Sequence, residues 1–172
     1  MGEVMEQPDT TAEALRMVLD RMAIEELLVR YYSGLGSGDP EGFGGFFADE
    51  MELDVNGIIC RNKDEVAKLY RDVAEDKPNL TGTFRMLLTN LLIDVKGDTA
   101  HAQMLWTQTI NDTVKAPPRF IEQGREYDIL VRERGRWKIR KRVVIADSNL
   151  PDMMDATYEP RSDYALPPLG RG

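Results

Sequence analysis

The segment LLTNLLIDVKGDTAHAQMLW, residues 87–106, indicates how this chain folds. Its first half is apolar and strand-like, the Lys-Gly-Asp motif at 96–98 is typical of a turn, and the chain returns from Thr99. We therefore predict a long antiparallel hairpin with strands over Phe84–Val95 and Thr99–Ile110. This hairpin also contains the only histidine of the chain, His101, at the start of the second strand.

A second long hairpin is predicted closer to the C-terminus. Its strands, Arg119–Arg132 and Arg136–Ala146, flank a Glu-Arg-Gly turn at 133–135. The tail that follows, residues 147–172, contains four prolines and few aliphatic residues. It is interpreted as a flap, a clasp on a partner subunit, or a disordered segment.

The N-terminal half is predicted to be mostly helical. A short helix over residues 12–19 precedes an amphipathic helix that starts near Asp20. The apolar face of that second helix is formed by Ile24, Leu27, Leu28 and Tyr31. Further signals are an Asp-Pro helix start at 39–40, an Asn-Gly hairpin turn at 56–57 and a helix capped by Asn62. Helices followed by long antiparallel strands favour an α+β fold with the helices on one face of a curved sheet.

Composition restricts the function. A chain of 172 residues suits one domain, and we expect residues 1–146 to form it. The net charge of −8 argues against binding to nucleic acid or to an anionic membrane. No apolar run is long enough to span a membrane, the start lacks a signal peptide pattern, and Cys60 has no partner for a disulfide. We therefore expect a cytoplasmic protein. One His and one Cys make a zinc site improbable, and we expect no metal and no cofactor.

Several short pieces, in this order and spacing, resemble one known family. They are DRMAIEEL (20–27), RYY (30–32), SGD (37–39), FFAD (46–49), LTN (88–90), GDTA (97–100), GREYD (124–128) and GRWKI (135–139). Together they resemble the SnoaL-like branch of the NTF2-like superfamily. The resemblance implies a cone: a strongly bent antiparallel sheet, closed by N-terminal helices around an apolar cavity. It also implies a homo-oligomer, dimer or trimer. Members include dehydratases, cyclases, lyases, oxygenase small subunits and proteins that only bind or assemble, so the fold does not decide the function.

The chain departs from the catalytic pattern of the dehydratase-like members. The position of their helix-end Asp corresponds to Gly36, and the position of their cavity His corresponds to Met86. A further cavity carboxylate corresponds to Gln108, whereas the tyrosine of the pattern is retained as Tyr31. His101 lies across a turn and does not replace the missing histidine. Any proton transfer must therefore use a phenol, amide, carboxylate, water or the substrate itself.

Strand alternation predicts which side chains line the cavity. If Asn90 points inward, so do Met86, Leu88 and Leu92. On the facing strand Met104, Trp106 and Gln108 belong together. Such a pocket suits a hydrophobic aromatic ligand, with Tyr32 and Phe47 as further substrate contacts. The alternative is that these apolar side chains form only the core.

Three residues are the predicted catalytic groups. Asn90 would orient a substrate hydroxyl or bind a developing oxyanion, or else bond to the backbone. Tyr31 would act as an acid, base or orienting phenol, or else only bury its ring. Gln108 would share a network with Asn90. Tyr32 is one position off the apolar stripe of its helix and is the weaker candidate.

The charged residues are weaker signals. Alternation places Arg140 and Arg142 on the outer or interface face of the last hairpin. One of Glu122, Glu126 and Asp128 could lie at the cavity mouth, without any means to say which. Cys60 lacks a histidine partner, so a thiolate nucleophile is not expected.

These observations lead to a predicted cofactor-independent lyase. Its substrate would be a hydrophobic, hydroxylated aromatic molecule such as a diarylpropane-type diol, from which it eliminates water, formaldehyde or both. The family resemblance extends to diarylpropane lyases of lignin-dimer catabolism, whose retro-aldol-like cleavage needs no His–Asp dyad. The alternatives are a catalytically silent binding or assembly protein, and the small subunit of a ring-hydroxylating oxygenase.

Overall fold

A computed structural model describes residues 10–34, 40–75, 83–148 and 157–169. Helix α1 spans Thr10–Ser33, a 3₁₀ helix spans Pro40–Phe46, and α2 spans Lys63–Glu75. The six strands are β1 Phe47–Val55, β2 Ile58–Cys60, β3 Thr83–Lys96, β4 Thr99–Asn111, β5 Arg119–Glu133 and β6 Arg136–Ala146. The two helices predicted over 12–19 and from Asp20 are one continuous helix of 24 residues.

The strands form one mixed sheet in the order β2-β1-β6-β5-β4-β3. Both predicted long hairpins are present, as is the short β1–β2 hairpin at Asn56-Gly57. One pair departs from the expected antiparallel sheet: β1 runs parallel to β6. β2 and β3 are the two edges, so the sheet is bent but not closed.

The helices cover one face of the sheet, here called the concave face. Ile24, Leu28 and Tyr31 of α1 are fully or almost fully buried and pack with Leu53 and Ile139 of the sheet. Asp20 accepts hydrogen bonds from Arg132 (2.5 Å) and from the Trp137 indole (3.3 Å), which fixes the middle of α1 on the last hairpin. The predicted α+β cone is confirmed.

A β-bulge in β3 reverses the predicted alternation. Thr89 pairs with Leu105 and Leu92 pairs with Gln103, so two residues of β3, Asn90 and Leu91, oppose one residue of β4. Asn90 has a positive φ of 54°, a conformation that Asn tolerates better than most residues. As a result Asn90 and Leu92 are exposed, and Leu91 packs on the core instead. The predicted inward orientation of Asn90 and Leu92 is wrong.

A second β-bulge reverses the predicted alternation in β6. Ile129 pairs with Lys141 and Leu130 pairs with Ile139, so Arg140 is the extra residue. Arg140 is exposed, as predicted. Beyond the bulge Arg142 turns to the concave face and is completely buried, so its predicted outer position is wrong.

The described part of the tail, residues 157–169, lies on the opposite, outer face of the sheet. Arg161 pairs with Asp54 (2.9 Å), and its carbonyl accepts a hydrogen bond from Arg125 (2.8 Å). The Tyr158 hydroxyl donates to Asn56 and to the carbonyl of Ala146. This segment therefore does not lie over the helix-covered side.

Candidate functional site

Three charged side chains meet beneath the helices on the concave face. Cross-strand register places Asp128 of β5 opposite Arg142 of β6, and Glu126 lies two residues from Asp128 on the same side. All three have no measurable exposure. Burying charge costs free energy unless the charges are paired, so such a cluster requires specific partners.

Arg142 forms ion pairs with both carboxylates. Its guanidinium donates to both oxygens of Asp128, from Nε at 2.8 Å and from Nη2 at 3.2 Å. The same Nη2 lies 3.0 Å from Oε1 of Glu126. The guanidinium carbon is 4.0 Å from the ring centre of Tyr31, a cation–π contact. Burial alone would lower the pKa of Arg142, but Asp128 and Glu126 raise it above its usual value.

Glu126 is held at one oxygen and available at the other. The Tyr32 hydroxyl donates a hydrogen bond to its Oε2. Its Oε1 has the ion-pair contact with Arg142 but accepts no hydrogen bond from the described residues. Burial raises the pKa of Glu126 well above its usual value, and Arg142 only partly opposes this. A carboxyl group in this state gives up its proton less readily than an exposed glutamate does.

Two phenols adjoin the charged cluster. The hydroxyls of Tyr31 and Tyr70, from α1 and α2, hydrogen-bond to each other. Burial raises the pKa of both hydroxyls, and it raises that of Tyr31 well above the usual value for tyrosine. The ring of Tyr31 makes edge contacts with Phe43 and Phe47. Both phenols therefore stay neutral, and they can orient a substrate oxygen but not act as phenolates.

Trp106 forms part of the apolar wall beside the cluster. It pairs across the sheet with Gly124, and a Cβ at that glycine would lie 2.6 Å from the indole and 2.1 Å from the carbonyl oxygen of Ile145. Gly124 thus allows the indole to lie flat against β5. The indole Nε1 is buried and, among the described residues, has no hydrogen-bond partner; the same is true of Nη1 of Arg142. Two buried donors therefore remain free to bind a ligand acceptor.

The structure brings together most, but not all, of the predicted site. Tyr31, Tyr32 and Phe47 are buried in one cluster with Met104, and Met86 and Leu88 pack against it. Trp106 is buried on the same side, and Gln108 is half-buried opposite Met86. Asn90 is on the other side and shares no hydrogen bond with Gln108. Gly36, the position of the family aspartate, lies outside the described residues.

Sequence reasoning missed the groups that dominate the site. Arg142 was expected outside, and Tyr70 was not among the predicted site residues. Glu126 and Asp128 were named without a means to choose between them. Strand alternation could have placed Glu126 and Asp128 on the buried face of β5. These two residues share every second position of β5 with Gly124 and Leu130, and all four are buried.

The family model for the SnoaL-like domain matches residues 16–143. The chain belongs to the SnoaL-like domain family. That match covers α1 from Arg16 onward, strands β1–β5, and all but the last three residues of β6. No curated protein matches this SnoaL-like chain.

Solved structures share the fold. A Mycobacterium tuberculosis protein of unknown function has a TM-score of 0.67 at 23% identity, over 81% of this chain and 78% of its own. A provisionally assigned scytalone dehydratase from Novosphingobium aromaticivorans has a TM-score of 0.66 at 17% identity, over 86% and 97%. The β subunit of a provisionally assigned aromatic-ring-hydroxylating dioxygenase from the same organism has a TM-score of 0.63 at 20% identity, over 77% of this chain and 92% of its own. At these identities the likeness shows the fold alone.

Two further properties concern the described residues only. None of their helices has the length and apolar character needed to cross a membrane. No group of three or more His, Cys, Asp or Glu side chains among them could hold a metal ion. Cys60 is buried, and burial raises the pKa of its thiol.

Proposed function

We propose that this SnoaL-like protein is a cofactor-independent lyase that eliminates water or formaldehyde from a hydrophobic, hydroxylated aromatic molecule bound on the concave face. The observation that carries this proposal is Glu126. It is a fully buried carboxyl group with a raised pKa, one oxygen held by Tyr32 and the other without a hydrogen bond from the described residues. This is the environment in which a carboxyl group serves as a general acid and base.

The proton cycle is the same for both eliminations. In a dehydration, Glu126 removes a proton from a substrate carbon, the electron pair forms a carbon–carbon double bond, and the hydroxyl leaves with a proton as water. In a deformylation, Glu126 removes the proton of a hydroxymethyl O–H. The carbon–carbon bond then breaks, formaldehyde leaves, and the electron pair forms the double bond as the neighbouring hydroxyl departs with that proton as water. Glu126 ends as it began, and no oxidant is needed.

Other residues of the cluster would bind and orient the substrate. The free donors, Nη1 of Arg142 and Nε1 of Trp106, can bind a substrate oxygen on which negative charge develops. The Tyr31–Tyr70 hydroxyl pair can hold the leaving hydroxyl. Met86, Leu88 and Met104 supply the apolar wall expected for an aromatic ring. Asn90, one of the three predicted catalytic groups, takes no part in this proposal because it is exposed at the bulge of β3.

The test is turnover of a panel of aromatic diols, scored for formaldehyde and for a new conjugated chromophore. We expect Glu126→Gln to lower turnover by about 10²–10⁴-fold, because it removes the proton-transfer group and keeps its shape. Tyr31→Phe should lower turnover less. Asn90→Ala is the matched control and should leave it unchanged. Equal turnover in Glu126→Gln and the unmodified protein would contradict the proposal.

One observation favours a second function, an assembly protein. On α1, the face opposite Ile24 carries an apolar stripe of Leu15, Val18, Leu19 and Met22, each more than half exposed. A subunit that packs against another protein would have such a face. This reading predicts co-purification with a partner and no turnover with any diol of the panel, whereas the lyase turns over by itself.

A further inference from the structure

A pocket lies on the outer face of the sheet, away from the Glu126 cluster. It has a volume of about 480 Å³, is open to solvent, and lies between strands β3–β5 and residues 164–169 of the tail. This volume is within the range of small-molecule sites. We call it the outer pocket; its polar groups include Asp94, His101, Tyr127 and Tyr164.

His101, the only histidine, is nine-tenths buried at this pocket. Among the described residues its imidazole has no hydrogen-bond or ion-pair partner. Burial lowers the pKa of His101, and the nearby Asp94 opposes this only in part. Burial thus favours the neutral imidazole, which offers one hydrogen-bond acceptor that no described residue uses.

The lining of the pocket includes one carboxylate, Asp94, and no Lys or Arg. Two cations lie beside its tyrosines, Arg125 at Tyr127 and Lys141 at Tyr164, and they are paired with Asp147 and Glu52. Asp94 lies directly opposite His101 in the β3–β4 pairing, is exposed, and forms no ion pair within the described chain. The rings of Tyr127 and Tyr164, 5.2 Å apart, present two aromatic faces. Arg161, a third cation, lies against Tyr164 and is already paired with Asp54. Leu92 and Leu166 add apolar surface.

We propose that the outer pocket binds a small apolar molecule that carries a protonated amine. The ammonium group donates to the Asp94 carboxylate and to the free imidazole nitrogen of His101, and its apolar part rests on Tyr127, Tyr164 and Leu166. An anion would meet Asp94 unfavourably, and a neutral ligand would lose the ion pair. This site is independent of the proposed lyase activity, because it lies on the opposite face of the sheet.

The single histidine makes the test direct, since its Cε1–Hε1 NMR signal is unique in the chain. The probes are three indoles of similar size: tryptamine, which is cationic, tryptophol, which is neutral, and indole-3-propionate, which is anionic. We expect tryptamine to shift the His101 signal saturably, tryptophol to bind about fivefold to tenfold more weakly, and indole-3-propionate to cause no shift.

Three variants complete the test. Asp94→Asn should weaken tryptamine to the level of tryptophol. Glu50→Gln, which removes one exposed charge elsewhere on the same sheet, should leave tryptamine binding unchanged. Glu126→Gln should also leave it unchanged, which separates this site from the concave face. The proposal is overturned if tryptamine causes no saturable shift, if the three indoles bind equally, or if Asp94→Asn binds tryptamine as the unmodified protein does.

Discussion

The two faces of one sheet treat charge in opposite ways. On the concave face Glu126, Asp128 and Arg142 are completely buried and pair only with one another and with tyrosines. On the outer face Arg161 and Arg125, both partly exposed, pair with Asp54 and Asp147 and attach the tail. Strand β5 contributes to both sets, with Arg125 on the outer face and Glu126 next to it on the concave face. A fold that needed only stability would place apolar side chains at the concave positions, so the buried set is better explained by function.

The largest effect is expected from removing the cation of the buried set. Arg142→Met leaves two carboxyl groups buried without their partner, which should lower the free energy of unfolding by about 3–5 kcal/mol. Urea denaturation at pH 7 measures this. A loss of less than 1 kcal/mol would mean that water reaches these carboxylates and that the two faces do not differ as described.

A smaller effect is expected from overpacking the concave face. Gly124→Ala places a methyl group against Trp106 and the Ile145 carbonyl, so the free energy of unfolding should fall by about 1–3 kcal/mol. Gly45→Ala is the control, because a Cβ at Gly45 meets nothing within 4 Å. Thermal denaturation of both variants makes the comparison. Equal melting temperatures would show that the indole does not lie tightly on β5.

The smallest effect is expected on the outer face. Arg161→Ala removes a partly exposed ion pair with Asp54, so the free energy of unfolding should change by about 0–1 kcal/mol. The same variant should release the tail, measured as faster proteolysis after residue 157. If Arg161→Ala lowered the free energy of unfolding as much as Arg142→Met does, the two faces would not differ as described.

The sequence predicted the architecture because the relevant signals are local. Turn residues at 56–57, 96–98 and 133–135 set the three hairpins, and the helical periodicity of Ile24, Leu28 and Tyr31 marked the face of α1 that is buried. The parallel pairing of β1 with β6 joins segments far apart in the chain, and no local pattern records it.

The site was harder to predict than the fold because two bulges interrupt the period of two. One extra residue at Asn90 and one at Arg140 exchange the faces of all later residues in each strand. Asn90 was therefore placed inside and Arg142 outside, each on the wrong face. Tyr31 and Trp106 were placed correctly because no bulge separates them from the signals that oriented them. A cytoplasmic location and a homo-oligomeric state remain predictions.

The central claim is that burial raises the pKa of Glu126 in the folded protein well above its usual value. A ¹³C NMR titration of the glutamate carboxyl signals, with Glu126 assigned by its absence in Glu126→Gln, measures this directly. Because the folded-state pKa is raised above the unfolded value, the carboxyl favours folding at low pH, and stability falls as pH rises from about 4 through the folded pKa. We predict a signal that titrates well above the usual range for glutamate, and Glu126→Gln should lack that fall in stability. A Glu126 signal that titrates in the usual range would contradict the account.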